Sequence, residues 1–363
     1  MVTPLYLPHC GGVENHVSEV AQRLAAAGVD VTILTTDRDG VLPARERMGR
    51  VGIRRVRAWP KRRDYYCAPA IAAEIARGRW DLVHVQSYHT FVAPLAMLGA
   101  LRTRTPYVVT FHAGGHSSRL RGLLRRPQLS ALRPLLARAE RLVTLAPFEV
   151  EEYGSRLRLA PSRFVVIPNG ADLPMAAPNA AAREGLVIAS VGRLERYKGH
   201  HRILAALPDI AARRPDARLW IAGVGPYERH LRSLAGQLGV QDRVDFAAIP
   251  PWDRAQMAAE LAQVAIVVLL SERETQPMAA LEALGLGRRL LVADAPGLSP
   301  LADQGLARAI PLASTPVEVA DAVLEELDRT DAPPAARLPT WDDCATTLLD
   351  LYREICREAA CGS

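Results

Sequence analysis

The sequence predicts an α/β protein made of two doubly wound parallel-sheet domains that face each other across a cleft. Three observations carry that expectation. The chain has 363 residues, enough for two domains at about 150 residues each. Short apolar runs alternate with stretches of helical period throughout, a pattern that builds parallel sheets covered by helices on both faces. The turn signal Pro168-Asn169-Gly170 is followed by an irregular stretch holding Pro174, Pro178 and a run of alanines, which reads as a domain boundary.

The elements follow in order. Residues 2–7 form a short first strand, so that either the sheet edge is short or the start codon was called late. Val13, Val17, Val20 and Leu24 put one apolar stripe on a helix that Gly28 closes. Further strands are expected at 31–36, 82–85, 107–111, 142–145 and 164–167, completing a first domain over 1–168. A linker over 169–185 leads to a second domain over 186–340. Its strands are expected at 186–191, 219–222, 244–246, 265–270, 290–293 and 309–311. A last helix over 341–363, with Leu348, Leu351 and Ile355 on one stripe, is expected to pack back on the first domain.

Composition excludes several classes. Apolar residues make up 49 % and charged residues 23 %, which is globular and neither disordered nor collagen-like. The longest apolar run, 264–270, is too short to cross a membrane. Met1-Val2-Thr3-Pro4 lacks the basic start of a secretory signal, so a cytoplasmic location is expected. Five cysteines, scattered without zinc or redox spacing, read as reduced thiols.

Net charge is +6 but unevenly divided. Residues 1–168 hold 25 Lys and Arg against 13 Asp and Glu, whereas 169–363 hold 20 against 26. That split points to a surface for phosphates, nucleic acid or anionic lipid on the first half. Arg119, Arg121, Arg125 and Arg126 interleave with leucines and suit an anionic acceptor or an anionic membrane surface. No aromatic residues stand between them, which disfavours nucleic acid. Only two of the basic residues are lysines, Lys61 and Lys198.

Four motifs can carry chemistry. Gly11-Gly12 opens the first helix, where free N–H groups attract phosphate, although a plain tight turn reads the same way. In Gly192-Arg193-Leu194-Glu195-Arg196-Tyr197-Lys198-Gly199, an arginine and a lysine lie in a glycine-bounded loop at a strand's carboxyl end. Such a pair can converge on a diphosphate. Gly223-Val224-Gly225-Pro226 also follows a strand, with Pro226 suited to the first helical position. It lacks the third glycine of the dinucleotide fingerprint, so it is a nucleotide-proximal or a purely structural turn. Glu274 follows the 265–270 strand, and Glu282 lies on the helix that begins near Pro277. Two carboxylates so placed can accept hydroxyl protons from two parts of one polyol ligand. Glu282 is surrounded by apolar residues and wants a specific partner. Asp37-Arg38-Asp39 reads as loop polarity rather than a metal site, and no metal ligands are expected.

In this order, the motifs resemble glycosyltransferase family four, the group 1 type of retaining GT-B enzyme, along nearly the whole chain. Gly11-Gly12-Val13-Glu14-Asn15-His16-Val17 resembles the family's first glycine loop and helix. Residues 106–112 resemble the strand ending in its active-site histidine, and Pro168-Asn169-Gly170-Ala171-Asp172 the element before its crossover. Residues 192–199 resemble the phosphate loop, and Glu274 and Glu282 the paired-glutamate signature. The resemblance implies that Arg193 and Lys198, with Gly192, hold the leaving diphosphate and that Glu282 meets the ribose. It assigns Glu274 to the donor sugar, with His112 and Gly12 facing the donor. Gly223, Gly225, Gln276, Pro277 and Met278 are implied to line the donor site, and Gly11, Glu14, His16 and Gly114 the acceptor side. An aromatic residue and a glycine usually follow the first glutamate; here Gln276 and Pro277 stand there, and Pro277 has no N–H to offer a sugar.

The implied function is metal-independent, retaining transfer of a hexose from a UDP- or GDP-sugar to a glycan, glycolipid or small natural-product hydroxyl. No cofactor and no protein nucleophile are implied. The alternatives are another GT-B enzyme, such as a sugar-nucleotide epimerase, or a catalytically silent nucleotide-sugar-binding scaffold.

Overall fold

The computed structural model describes every residue except 10, 62–65, 113–118, 175–184, 251–252, 333–336 and 362–363, and leaves aside the side chains of 119–126. Two compact units emerge. The first comprises Met1–Ala113, Arg119–Gly170 and Pro339–Ser363; the second spans Ala171–Leu338.

The first unit opens with α1 (Gly12–Ala26), β1 (Thr32–Asp37), β2 (Arg45–Met48), β3 (Val51–Arg57) and α2 (Ala70–Arg77). It continues through β4 (Val83–Gln86), α3 (Val92–Thr103), β5 (Tyr107–Thr110) and α4 (Arg119–Leu136). Then come β6 (Arg141–Thr144), α5 (Pro147–Leu157) and β7 (Phe164–Val166). Strands β4, β5, β6 and β7 lie in that order, all parallel, and β1 pairs in parallel with β3 while β2 runs antiparallel at the edge. The residues around Val2 join the two halves, bridging Leu34 of β1 on one side and Val85 of β4 on the other. The short first strand is therefore central, not an edge. It is reduced to one bridging residue because the next residues bend away, with Tyr6 and His9 already in a turn.

Strands β2 and β3 have no counterpart in the sequence expectation. Arginines stand where an alternating apolar pattern is sought, and one of them points inward. The Arg55 side chain is only 3 % exposed. It is compensated by Glu46 at 2.6 Å and by donation to the carbonyls of Pro43 and Leu7, as a buried charge requires.

The second unit contains β8 (Leu186–Val191), α6 (His200–Arg213), β9 (Ala217–Ala222), α7 (Glu228–Gln237), β10 (Val244–Ala247) and α8 (Arg254–Leu261). It is completed by β11 (Ile266–Leu269), α9 (Met278–Gly285), β12 (Arg289–Asp294), α10 (Ser299–Asp303), β13 (Arg308–Pro311) and α11 (Pro316–Asp328). Its six parallel strands run β10-β9-β8-β11-β12-β13. Because β8 comes first and its neighbours on the two sides are β9 and β11, the winding reverses between β8 and β11. In such sheets ligands bind outside the carboxyl ends of the strands at that reversal. β11, buried at every residue, reads as the uninterrupted apolar run expected of a central parallel strand.

The last helix, α12 (Trp341–Cys361), belongs to the first unit. Its buried Leu348, Leu351 and Ile355 face inward. Asp342 pairs with Arg23 of α1 at 2.6 Å, and Glu354 with Arg141 at 3.1 Å. The backbones of Arg119, Arg121, Arg125 and Arg126 lie in α4. Pro226 precedes α7 by two residues and sits in a turn rather than at the first helical position.

Candidate active site

The loops after β8 and β11, at the reversal of winding, are bound to each other. Gly199 has φ +76, and a Cβ there would collide with the carbonyl of Leu270 at the end of β11. Only glycine combines that conformation with so close an approach. The Glu272 N–H donates to the Tyr197 carbonyl at 2.8 Å, and the Ser271 hydroxyl to the Lys198 carbonyl at 3.3 Å. Across this junction the Lys198 ammonium donates to both oxygens of Glu274, at 2.6 and 2.8 Å. Ser271 Oγ also donates to Glu274 Oε1 at 2.7 Å. The sequence-predicted cation and carboxylate are thus brought into direct contact, each with less than a fifth of its side chain exposed.

Arg193, further along the same loop, donates to the Tyr197 hydroxyl at 2.6 Å and pairs with Glu195 at 3.0 Å. His200, at the start of α6, braces the loop: its ring reaches Ser190 Oγ at 2.8 Å and the Arg193 carbonyl at 3.2 Å. Burial lowers His200 to about 4, so its imidazole is neutral near pH 7 and acts as a brace.

Glycines at the remaining positions serve close backbone approach. A Cβ on Gly223 would run into the Gly192 carbonyl, and one on Gly225 into the Leu194 backbone. The Gly223-Val224-Gly225 turn therefore packs on the loop that carries Arg193. Gly297, after β12, plays the same part for Glu274: its Cβ position overlaps the Glu274 carbonyl, and the Glu274 N–H donates to the Pro296 carbonyl at 2.9 Å. No feature of the sequence marked Gly297.

Pro277 is the N-cap residue of α9, Met278 begins the helix, and Gln276 stands in the loop before it. Glu282 is buried in that helix and finds its partner in Arg254 at the start of α8. Burial raises the Glu282 carboxyl while Arg254 opposes that rise. Arg254 was not among the expected site residues.

In the first unit, His112 follows β5. Its Nε2–H donates to Gln86 Oε1 at 2.7 Å, which leaves Nδ1 as the acceptor. Gln86 in turn lies against the ring of His84, which meets Thr110 Oγ1 at 2.6 Å and the Tyr352 hydroxyl of α12. The His16 ring packs edge-on against His112, with centroids 4.7 Å apart, and its Nδ1–H donates to Asn169 Oδ1 at 2.7 Å. Burial lowers His16 to about 4. Burial first, and then the neighbouring histidines, hold His112 well below the ordinary imidazole value. These rings are neutral near pH 7.

The Pro-Asn-Gly element gains a physical reason here. Asn169 fixes His16, and Gly170 passes beneath Trp341 so closely that a Cβ would overlap that residue. Gly11 is the extended N-cap of α1, no side chain caps that helix, and Gly12 is exposed with open space around its Cα. Glu14 lies in the first turn. Gly114 lies outside the described residues.

Two family models match the chain in succession: Glycosyltransferase Family 4 over residues 10–174 and Glycosyl transferases group 1 over residues 175–328. The chain belongs to the family four, group 1 glycosyltransferases. It is 28 % identical over 404 residues to the D-inositol 3-phosphate glycosyltransferase of Acidothermus cellulolyticus, covering 98 % of this chain and 89 % of that one. It is 29 % identical over 306 residues to the GDP-mannose:cellobiosyl-diphosphopolyprenol alpha-mannosyltransferase of Xanthomonas oryzae pv. oryzae, with 82 % and 78 % covered. Among solved structures, a sucrose-phosphate synthase from Thermosynechococcus elongatus superposes with TM-score 0.74 at 21 % identity, covering 95 % of this chain and 94 % of that one. That likeness fixes the fold as GT-B. This glycosyltransferase thus carries its motif residues on two doubly wound units.

Proposed function

We propose that this glycosyltransferase moves a hexose from a UDP- or GDP-linked donor to a hydroxyl acceptor with retention of configuration and without a metal ion. The observation that carries the reading is the junction of the β8 and β11 loops, where Arg193, Lys198 and Glu274 gather at the reversal of the second unit's sheet. Cleaving a glycosyl phosphate bond builds negative charge on the leaving diphosphate. Two fixed cations at that point stabilise it without a divalent ion. Lys198 is held by Glu274 until the diphosphate competes for it, which frees the carboxylate to accept from donor sugar hydroxyls. Glu282 accepts from the ribose. No side chain is assigned as a nucleophile; the departing phosphate oxygen assists loss of the acceptor proton on the same face.

From the first unit, His112 and Gly12 face the donor, and Gly11, Glu14 and His16 line the acceptor side. The two relatives named above act on an inositol phosphate and on a diphosphopolyprenol-linked glycan, which supports an anionic or lipid-linked acceptor. Arg119, Arg121, Arg125 and Arg126 are proposed to meet that acceptor or an anionic membrane. Cosedimentation with anionic vesicles at low salt, lost when all four become serine, is the expected result for the membrane form; no binding by either protein leaves a soluble acceptor.

The test is a panel of labelled UDP- and GDP-sugars incubated with candidate acceptors, with and without chelator, followed by product analysis. Transfer that persists in chelator and retains the anomeric configuration is expected. Binding with no turnover of any donor would instead favour a silent nucleotide-sugar-binding scaffold.

A further inference from the structure

The Arg254–Glu282 pair is one of the buried ion pairs of the second unit. Glu282 is the more deeply buried member, with 7 % of its side chain exposed against 19 % for Arg254. Among the described residues the pair's hydrogen bond goes to Oε1, and Glu282 Oε2 takes none and is not fully enclosed. Arg254 comes from a different helix and reaches Glu282 across the sequence from the first turn of α8. Asp253 fixes that turn by accepting the Gln256 N–H at 2.9 Å. The charged residues of the strands beneath α9 are engaged elsewhere: Arg289 with Glu326 and Asp331, and Asp294 with Ser299. β11 carries no charged residue. Arg254 is the charge that acts on this carboxylate.

We propose that Arg254 is a positioning residue for nucleotide binding, taking one oxygen of Glu282 so that the buried carboxylate stays ionised and turns its other oxygen to the ribose. This rests on the ribose role given to Glu282 above. An ionised acceptor makes a hydrogen bond about twice as strong as a neutral one. A carboxyl buried among apolar residues with no cation reverts to its neutral form. The direction at Glu282 agrees, since burial raises its carboxyl and Arg254 counters that rise. Arg254 acts here through Glu282 and has no contact with the reacting atoms.

The test is calorimetric titration of UDP and GDP into the full chain at several pH values. It compares wild type, Arg254→Met, Arg254→Lys, Glu282→Gln and the double variant Arg254→Met/Glu282→Gln. Wild-type affinity is expected to be flat from slightly acid to slightly alkaline pH. Arg254→Met should bind roughly tenfold more weakly at the acid end, the size of one charge-assisted bond. It should recover as pH rises and Glu282 ionises. Arg254→Lys should restore most of the affinity. Donor KM should rise in Arg254→Met with kcat little changed. In the Glu282→Gln background the arginine substitution should have no further effect, and that variant leaves no unpaired buried carboxylate if the single one folds poorly. A Glu282→Gln protein that binds nucleotide like wild type overturns the ribose reading itself. Weakened binding in Glu282→Gln, together with a pH-independent loss in Arg254→Met or a further loss in the double variant, overturns the part given to Arg254 alone.

Discussion

Changing Lys198 to methionine removes the ammonium that touches both Glu274 oxygens and leaves that carboxylate with Ser271 Oγ as its remaining partner. Side-chain exposure of the pair is 17 % and 11 %, so most of the solvent that would screen a bare charge is excluded. Removing one partner of a fully buried pair costs about 3–5 kcal/mol, and the residual exposure here brings the expected cost to roughly 2–3 kcal/mol. Glu274→Gln should cost less, because the lysine stem can carry its ammonium toward water. The double variant, with neither charge, should recover stability, giving a coupling of about 1–3 kcal/mol in the cycle. Urea denaturation of the full chain, followed by intrinsic fluorescence, reads this directly. Single-variant losses that simply add, within about 0.5 kcal/mol, would mean that Lys198 and Glu274 do not pair in solution. The reasoning about competition between diphosphate and carboxylate would then fall.

Other outcomes follow from the same geometry. Gly199→Ala forces a left-handed residue against the Leu270 carbonyl, a conformational cost of about 1–2 kcal/mol before the clash is counted. Thermal denaturation should show that loss, and donor turnover should fall further as Lys198 is displaced. Glu274→Gln should lower turnover more than UDP or GDP affinity, whereas Glu282→Ala should weaken nucleotide binding itself; equal losses of affinity in calorimetry would remove the assignment. Burial holds His112 well below the usual imidazole range, so it is neutral before pH rises through that range. The kcat/KM profile should therefore show no inflection from it between about pH 5 and 8, and an inflection abolished by His112→Gln would contradict the burial argument.

The sequence was most legible where one physical signal dominates. Apolar runs such as β11 and the four-three-four spacing in α1 identify themselves because burial on a strand or one helix face leaves no freedom for polar residues. The glycine loop before α6 was legible for a similar reason: Gly199 answers to a backbone constraint that no other residue meets. Strands β2 and β3 were not, because Arg55 occupies an inward position with its charge paid for by Glu46 and two carbonyls. The sequence leaves the first strand as either a short sheet edge or the mark of a late start, although it bridges β1 and β4, since strand order is not written in a strand's own residues. Arg254 escaped for a comparable reason. Its partner Glu282 announced the need for a counter-charge, but the fold alone decides which arginine, of the many in this chain, supplies it. Gln86, which holds His112, and Gly297, which admits the Glu274 loop, likewise acquire meaning only through contacts between distant segments.

The central claim is that the junction of the β8 and β11 loops binds a nucleoside diphosphate through its own side chains. Calorimetric titration of UDP and GDP into the full chain in excess chelator tests it most directly, alongside Lys198→Ala. The account predicts saturable binding of at least one of the two that chelator leaves unchanged and that Lys198→Ala weakens. Binding that vanishes with chelator, or that Lys198→Ala leaves intact, would contradict it.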